Sequence, residues 1–284
     1  MTKDSLGDRM KNYYEAIPNT KLVRRMPVII RIDGKAFHTF TRGFNKPYDV
    51  VLSNAMIRTM KDLCSNIQGC VFGYTQSDEI TLVLVDYSKL ETSAWFDYKV
   101  QKMCSVSASM ATAYFNRNFS DEVDVYKRIL FKWTSYHPDS EVFDKYKIFN
   151  NNIDRANDVC FKYSKRIEKT PAMFDARCFN IPKEEVCNCL IWRQQDATRN
   201  SIEMLGRAYF SDKELHKKNC SNIQDMLMEL HNVNWNNVDT RFKRGCACYK
   251  HAEESGNCSW VVDFEMPILT QDRDYVEKHV MVGE

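Results

Sequence analysis

The chain has 284 residues, 44% of them hydrophobic and 12% aromatic, enough to bury a sizeable core and to exclude wholesale disorder. Lys and Arg number 40 against 38 Asp and Glu, so a strongly basic nucleic-acid coat protein is excluded while a local basic patch is not. Neither Gly-x-Gly-x-x-Gly nor Gly-x-x-x-x-Gly-Lys-Ser/Thr occurs, which removes most of the weight from dinucleotide-binding and Walker-type phosphate cradles.

The first ten residues are polar and charged, unlike a signal peptide, and the apolar runs at 27–30 and 82–85 are too short to span a bilayer. The reading is a cytoplasmic protein without a membrane partner, whose 11 cysteines are reduced thiols. A short helix is predicted near Ser5–Tyr14. Pro27–Ile32 is apolar, β-branched and bounded by Pro27 and Gly34, and reads as a buried strand ending at Asp33. Asp49 suits an N-cap for a helix whose apolar face is Leu52, Met56, Met60, Leu63 and Ile67. Cys70–Tyr74 and Ile80–Val85 form a predicted hairpin around a polar turn over 75–79. A long helix is predicted from Trp95 to Phe115, giving the order β–α–β–β–α.

Residues 120–170 read as an irregular or helical insertion with a turn at Asn150–Asn152. Phe174–Phe179 is a further strand, and Pro182 suits the first turn of a helix. Helices are predicted over Glu184–Arg193, Thr198–Phe210 and Ser221–Asn232. A late hairpin pairs Gly245–Lys250 with Ser259–Phe264 around 253–257. The expected division is a catalytic region over 1–135, followed over 136–284 by the insertion, a helical C-terminal part and the late hairpin, packed on that region.

The chemistry gathers at Asp33 and Asp78-Glu79. If the first strand neighbours the hairpin, Asp33 and Asp78 converge. Two such charges about 4 Å apart repel by roughly 4 kcal/mol at an effective dielectric of 20. Either one carboxyl stays protonated or a cation sits between them, and carboxylates with phosphates suit Mg²⁺. Gly34 would let the backbone approach a ligand. On spacing alone, Asp33-Gly34 also reads as a plain turn, and Ser77-Asp78 as ordinary hairpin chemistry.

The flanking residues carry more. Arg31-Ile32-Asp33-Gly34-Lys35-Ala36-Phe37-His38, Lys46-Pro47 and Gln76-Ser77-Asp78-Glu79 are followed by Phe174-Asp175-Ala176-Arg177, Trp192-Arg193-Gln194-Gln195-Asp196 and Lys243-Arg244-Gly245. In this order they resemble the signature of the tRNA(His) guanylyltransferase family and its bacterial-type relatives, over roughly residues 10–120 and 170–250. The resemblance implies an α+β fold with a polymerase-palm-like antiparallel sheet, related to nucleotide cyclases. It implies two Mg²⁺ ions, ATP and GTP as substrates, tRNA as partner, and nucleotide addition at an RNA 5′ end, in the 3′-to-5′ direction. It also implies a homo-oligomer, a tetramer in the family.

Carried over by position, Asp33 and Asp78 match metal-binding carboxylates, Gly34 contributes its carbonyl, and Glu79 is the adjacent acidic residue. Lys35, Ala36, Phe37 and His38 would wrap the nucleotide, with Ser77 nearby; Phe37 and Phe40 also fit a core, and His38 equally suits one. Lys99 and Lys102, expected on one helix face, match cationic triphosphate positions, as do Lys46 and Lys218. Arg193, Arg199 and Asn200 form the expected RNA face. The His-Ile-Asn-Asn-Leu-Tyr stretch of the tRNA(His)-adding enzymes is replaced by Thr198-Arg199-Asn200-Ser201-Ile202-Glu203, which places the chain nearer the bacterial-type relatives and their template-dependent repair of 5′-truncated tRNA.

The basic cluster Lys162, Lys165, Arg166 and Lys169 reads as an exposed face or a phosphate contact. Cys246, Cys248, His251 and Cys258 are a weak zinc candidate, because Cys-x-Cys departs from the usual ligand spacing. Two rivals stand beside the main reading: a nucleotide cyclase with paired acidic residues, and a non-catalytic RNA-binding module that keeps the fold.

Overall fold

The structure, a computed structural model, describes residues 5–136, 153–252 and 258–283. Helix α1 (Ser5–Met10) continues into a π turn over Lys11–Glu15, as predicted for this stretch. Strand β1 (Val28–Gly34) leads into the short helix α2 (Phe37–Phe40) and then α3 (Val50–Asn66). Asp49 caps α3, its carboxylate accepting from the Leu52 N–H at 2.8 Å. The predicted apolar face is the buried one, with Met60 and Leu63 at 0% exposure. Strands β2 (Cys70–Gln76) and β3 (Glu79–Leu84) follow.

Helix α4 runs from Val100 to Tyr136. It starts later than predicted because Phe96, Asp97 and Tyr98 all take positive φ, which no α-helix accommodates. It also ends later, so the first part of the expected insertion is its continuation. After α5 (Ile153–Lys169) comes β4 (Phe174–Asn180). The Asn150–Asn152 turn and the 253–257 turn lie outside the described residues.

Helix α6 (Lys183–Tyr209) replaces the two predicted helices with one. In the polar stretch that suggested a break, Arg193 and Gln194 are buried and partnered. Gln194 donates from Nε2 to the Pro267 carbonyl and accepts from the Leu269 N–H, each at 2.9 Å. Helices α7 (Asp212–Leu215), α8 (Cys220–His231) and α9 (Thr240–Arg244) precede strands β5 (Cys246–Ala252) and β6 (Cys258–Asp263). Helix α10 (Asp274–Val280) was not anticipated.

The strands make one antiparallel sheet in the order β4-β1-β3-β2-β5-β6, so residues on both sides of 136 share it. Strand β3 is buried at all six positions. Ile30, Ile32, Ile80 and Leu82 pack toward α3, α4 and α5. Ile29, Phe72, Tyr74 and Val83 pack toward α6 and α10. Helices on both faces explain why the central strands read as mainly apolar runs rather than alternating ones. The α+β expectation, with an antiparallel sheet and a helical C-terminal part, is what the fold shows. Among the described residues no helix is long and apolar enough to cross a membrane.

Candidate active site

Strands β1 and β3 pair with Asp33 opposite Glu79. The hairpin turn is two residues, Ser77-Asp78, rather than the predicted five, with Ser77 at φ 50°. The short turn seats Asp78 beside the end of β1, where the Gly34 N–H donates to the Asp78 carbonyl at 3.1 Å. Asp33 and Asp78 therefore meet at one end of the sheet. Burial, and then the charge of Asp33, raise the Asp78 carboxyl above its ordinary value. Ser77 Oγ donates to Asp78 Oδ1 at 3.1 Å. On its other side Asp33 pairs with Asp175 of β4.

Glu79, expected among the catalytic carboxylates, has a different setting. It is buried, and it is held by Arg193 Nη1 at 3.2 Å and Arg31 Nε at 3.4 Å. Burial raises its pKa, and the two guanidinium groups oppose that rise. Arg193, expected on the RNA face, is 4% exposed and also donates to Asp196 at 2.8 Å. The physical reason is the continuity of α6, which turns residue 193 onto the sheet. The pair fastens α6 to β3, leaving Arg193 no free surface for RNA. Arg199 is exposed and ion-paired with Asp196, and Asn200 Nδ2 donates to Asp196 at 3.4 Å. Arg31 could have been found from the sequence: two residues before Asp33 on a strand means the same face.

The loop after β1 is set by Lys35, whose N–H donates to the Met173 carbonyl at 2.8 Å, and by Ala36 at φ 53°. His38 is exposed. Phe37 is not free to wrap a nucleotide, because its ring packs against Phe40, Phe115 and Phe174. Gly34 is required by that ring: a Cβ there would stand 2.2 Å from Phe37 Cδ2. Arg166 grips the Phe40 and Thr39 carbonyls at 2.6 and 2.9 Å, so within the basic cluster it serves the loop. Lys46 is exposed at the rim of a cavity of about 540 Å³ that also borders Tyr48, Asn237 and Phe242. A smaller cavity, about 80 Å³, opens beside Ser77 and is lined by Gln76, Asn200 and Arg241.

Three expected cations lie back from the acidic pair. Lys99 precedes α4 rather than riding on it, and the Leu22 N–H donates to the neighbouring Tyr98 carbonyl. Val23 in turn donates to Asn180, whose strand partner is Val28. Cys178 Sγ donates to the Val100 carbonyl at 3.7 Å, and Cys178 pairs with Ile30, so α4 starts about 10 Å along β1 from Asp33 at 3.3 Å per residue. Lys102 sits one turn along α4, a helix that runs toward the Asp33 end, where Thr112 meets Phe174 opposite Gly34; its ammonium is 5.2 Å from the Phe96 ring centroid. Lys218 follows α7, whose Leu215 packs near Gly206, some 20 Å down α6 from Arg193 at 1.5 Å per residue. The cysteines do not form the zinc set. Cys246 and Cys248 are buried toward α3, and strand alternation turns His251 to the other face.

Among the described residues no three His, Cys, Asp or Glu side chains converge on one point. The pair Asp33 and Asp78 nevertheless suits a hard cation. Both offer carboxylate oxygens, they repel each other, and among the described residues the nearby guanidinium groups Arg31 and Arg193 are ion-paired to Glu79 instead.

A family model described as tRNAHis guanylyltransferase matches residues 7–182. A bacterial tRNA(His) guanylyltransferase (Thg1)-like protein solved in complex with ATP shares 40% identity, over 97% of this chain and 99% of its own, with a TM-score of 0.75. Such a protein in complex with GTP shares 38% identity over 98% and 100%, with a TM-score of 0.71. The uncharacterized protein R259 of Acanthamoeba polyphaga mimivirus is 28% identical over 264 residues, 89% of this chain and 80% of its own. With its antiparallel sheet, its acidic sheet end and this similarity along nearly its whole length, the chain belongs to the tRNA(His) guanylyltransferase family of nucleotidyltransferases.

Proposed function

We propose that the protein adds nucleotides to the 5′ end of tRNA, in the 3′-to-5′ direction, and that it repairs 5′-truncated tRNA under the direction of the opposite strand. The reading rests on one observation: Asp33 and Asp78 meet at a tight hairpin turn beside the glycine that ends β1. Solved relatives similar along the whole chain carry ATP and GTP.

Asp33, Asp78 and the Gly34 carbonyl would hold two Mg²⁺ ions. When bound, such ions polarise phosphate oxygens, ease deprotonation of an attacking hydroxyl and neutralise charge. The protein positions the reactants: the exposed Lys35, Ala36 and His38, with Ser77, border the nucleotide. Lys46 borders the larger cavity, which Leu205 and Tyr209 of α6 also line, so like Lys218 it stands far down α6 from Arg193. Lys218 is left out of this chain's nucleotide site, because α6 carries it away from Asp33; Lys99 and Lys102, at the start of α4 about 10 Å back along β1, are kept as contacts for the triphosphate. Glu79 and Arg193 act as a buried clamp under the reaction surface. The enzyme works in the cytoplasm as a homo-oligomer, a tetramer by analogy with the family.

Thr198, Arg199 and Ser201 stand at three positions of the His-Ile-Asn-Asn-Leu-Tyr stretch, so the histidine and one of the paired amides are lost and Arg199 offers a guanidinium fork. A fork suits phosphate contacts without base identity. Several 5′-truncated tRNAs are therefore expected to be repaired with similar efficiency. The check is a competition between truncated tRNA(His) and another truncated tRNA at equal concentration, with the templating base varied. The incorporated nucleotide should follow that base. A preference for tRNA(His) above about tenfold, roughly 1.4 kcal/mol, that disappears when the anticodon is changed would overturn the repair reading.

A further inference from the structure

Trp192 is 51% exposed. Its place is not accidental. The Arg193 guanidinium carbon stands 3.9 Å from the ring centroid and that of Arg31 stands 5.4 Å away. Both arginines are fixed below by buried Glu79, at 3.2 and 3.4 Å. The indole is thus set on a rigid base, with half its surface open to solvent. Arg31 is two residues before Asp33 on the same face of β1, so the ring stands one strand repeat from the acidic pair.

Helix α6 crosses the sheet so that Trp192 meets β1, Arg193 meets β3, and Asn200 lines the cavity beside Gln76 of β2. Eight residues of helix separate Trp192 from Asn200, about 12 Å. Glu79, the residue after Asp78, meets Arg193 on the stretch of α6 between them. Transfer of a nucleotidyl group needs two base-bearing reactants on opposite sides of the reacting phosphate. The Ser77 cavity and the indole are two such places.

We propose that the indole of Trp192 is the platform on which the terminal nucleobase of the acceptor RNA stacks during transfer; this rests on the function proposed above. Every base presents a π face, so a stacking platform serves without regard to sequence, as repair of different tRNAs requires. A ring held by two arginines also loses little freedom when a base arrives.

The test uses the full chain and an RNA hairpin carrying 2-aminopurine as its 5′-terminal nucleotide. Stacking should quench the fluorescence with the wild type and with Trp192→Phe, but not with Trp192→Ala. A 2-aminopurine placed inside the stem should respond alike in all three. In steady state, Trp192→Ala should raise the KM for RNA by about tenfold and leave the KM for nucleotide within about twofold, with Trp192→Phe restoring most of the loss. Quenching of 2-aminopurine riboside triphosphate by the wild type and not by Trp192→Ala would assign the ring to the incoming nucleotide and overturn the proposal. Equal RNA quenching by wild type and Trp192→Ala would do the same. If the wild type quenches the RNA end yet transfers nothing, the platform stands and the transfer reading falls. If Trp192→Ala transfers with unchanged KM for RNA, the platform falls and the transfer reading stands.

Discussion

Replacing Asp78 with asparagine is expected to abolish nucleotide transfer while making the fold more stable. The first half follows from the loss of one of two oxygen donors at the acidic sheet end. Transfer should fall by about a thousandfold, roughly 4 kcal/mol of barrier. The second half follows from the direction of the Asp78 shift. Burial and the charge of Asp33 raise its pKa in the folded protein above that of the unfolded chain. A raised carboxyl gives stability that is fully present below the unfolded pKa, about 3.9, and lost as pH rises through the folded value. At neutral pH the ionised group therefore strains the fold, and asparagine removes the strain. The advantage of the variant in thermal unfolding should shrink as pH falls toward 4. A variant that turned over normally with Mg²⁺ would refute the site. A variant less stable than the wild type at neutral pH would refute the electrostatic account.

Arg193→Ala carries the largest expected loss of stability. It removes the closer of two guanidinium partners of buried Glu79 and one donor to Asp196. Breaking a buried pair from one side costs about 3–5 kcal/mol, because the remaining charge has been taken out of water. For a chain of this size that is a fall of roughly ten degrees in Tm. The double variant Arg193→Met with Glu79→Leu should recover part of it, since the buried Glu79 charge is gone while Arg31 loses its partner. If Arg193→Ala instead unfolded within about two degrees of the wild type, the pair would not be the fastening of α6 on β3.

The strands were legible in the sequence because helices cover both faces of the sheet, leaving runs at 28–32 and 80–84 that are apolar except at Arg31 and Thr81. The cap at Asp49 and the buried stripe of α3 were legible for the same local reasons. The acidic pair was legible in kind, and the pairing of β1 with β3 was needed to bring it together. What escaped was tertiary. A polar stretch at 194–196 resembles a loop until the partners of Arg193 and Gln194 are known. Lys99 and Lys102 look like one helix face until three positive-φ residues move the helix start beyond Lys99. Glu79 looks like its neighbour Asp78 because sequence carries no depth: one residue is in the turn and the next is on a buried strand.

The measurement that tests the central claim most directly is the end to which a nucleotide is joined. A tRNA lacking its 5′-terminal nucleotide, carrying a 5′-triphosphate and a blocked 3′ end, is incubated with the protein, Mg²⁺ and α-labelled nucleoside triphosphates, and the product is mapped by nuclease digestion. The account predicts one added nucleotide at the 5′ end, chosen by the opposite base and absent with Asp33→Asn. Label joined only to RNA with an open 3′ end, or label recovered as a cyclic nucleotide without RNA, would contradict it.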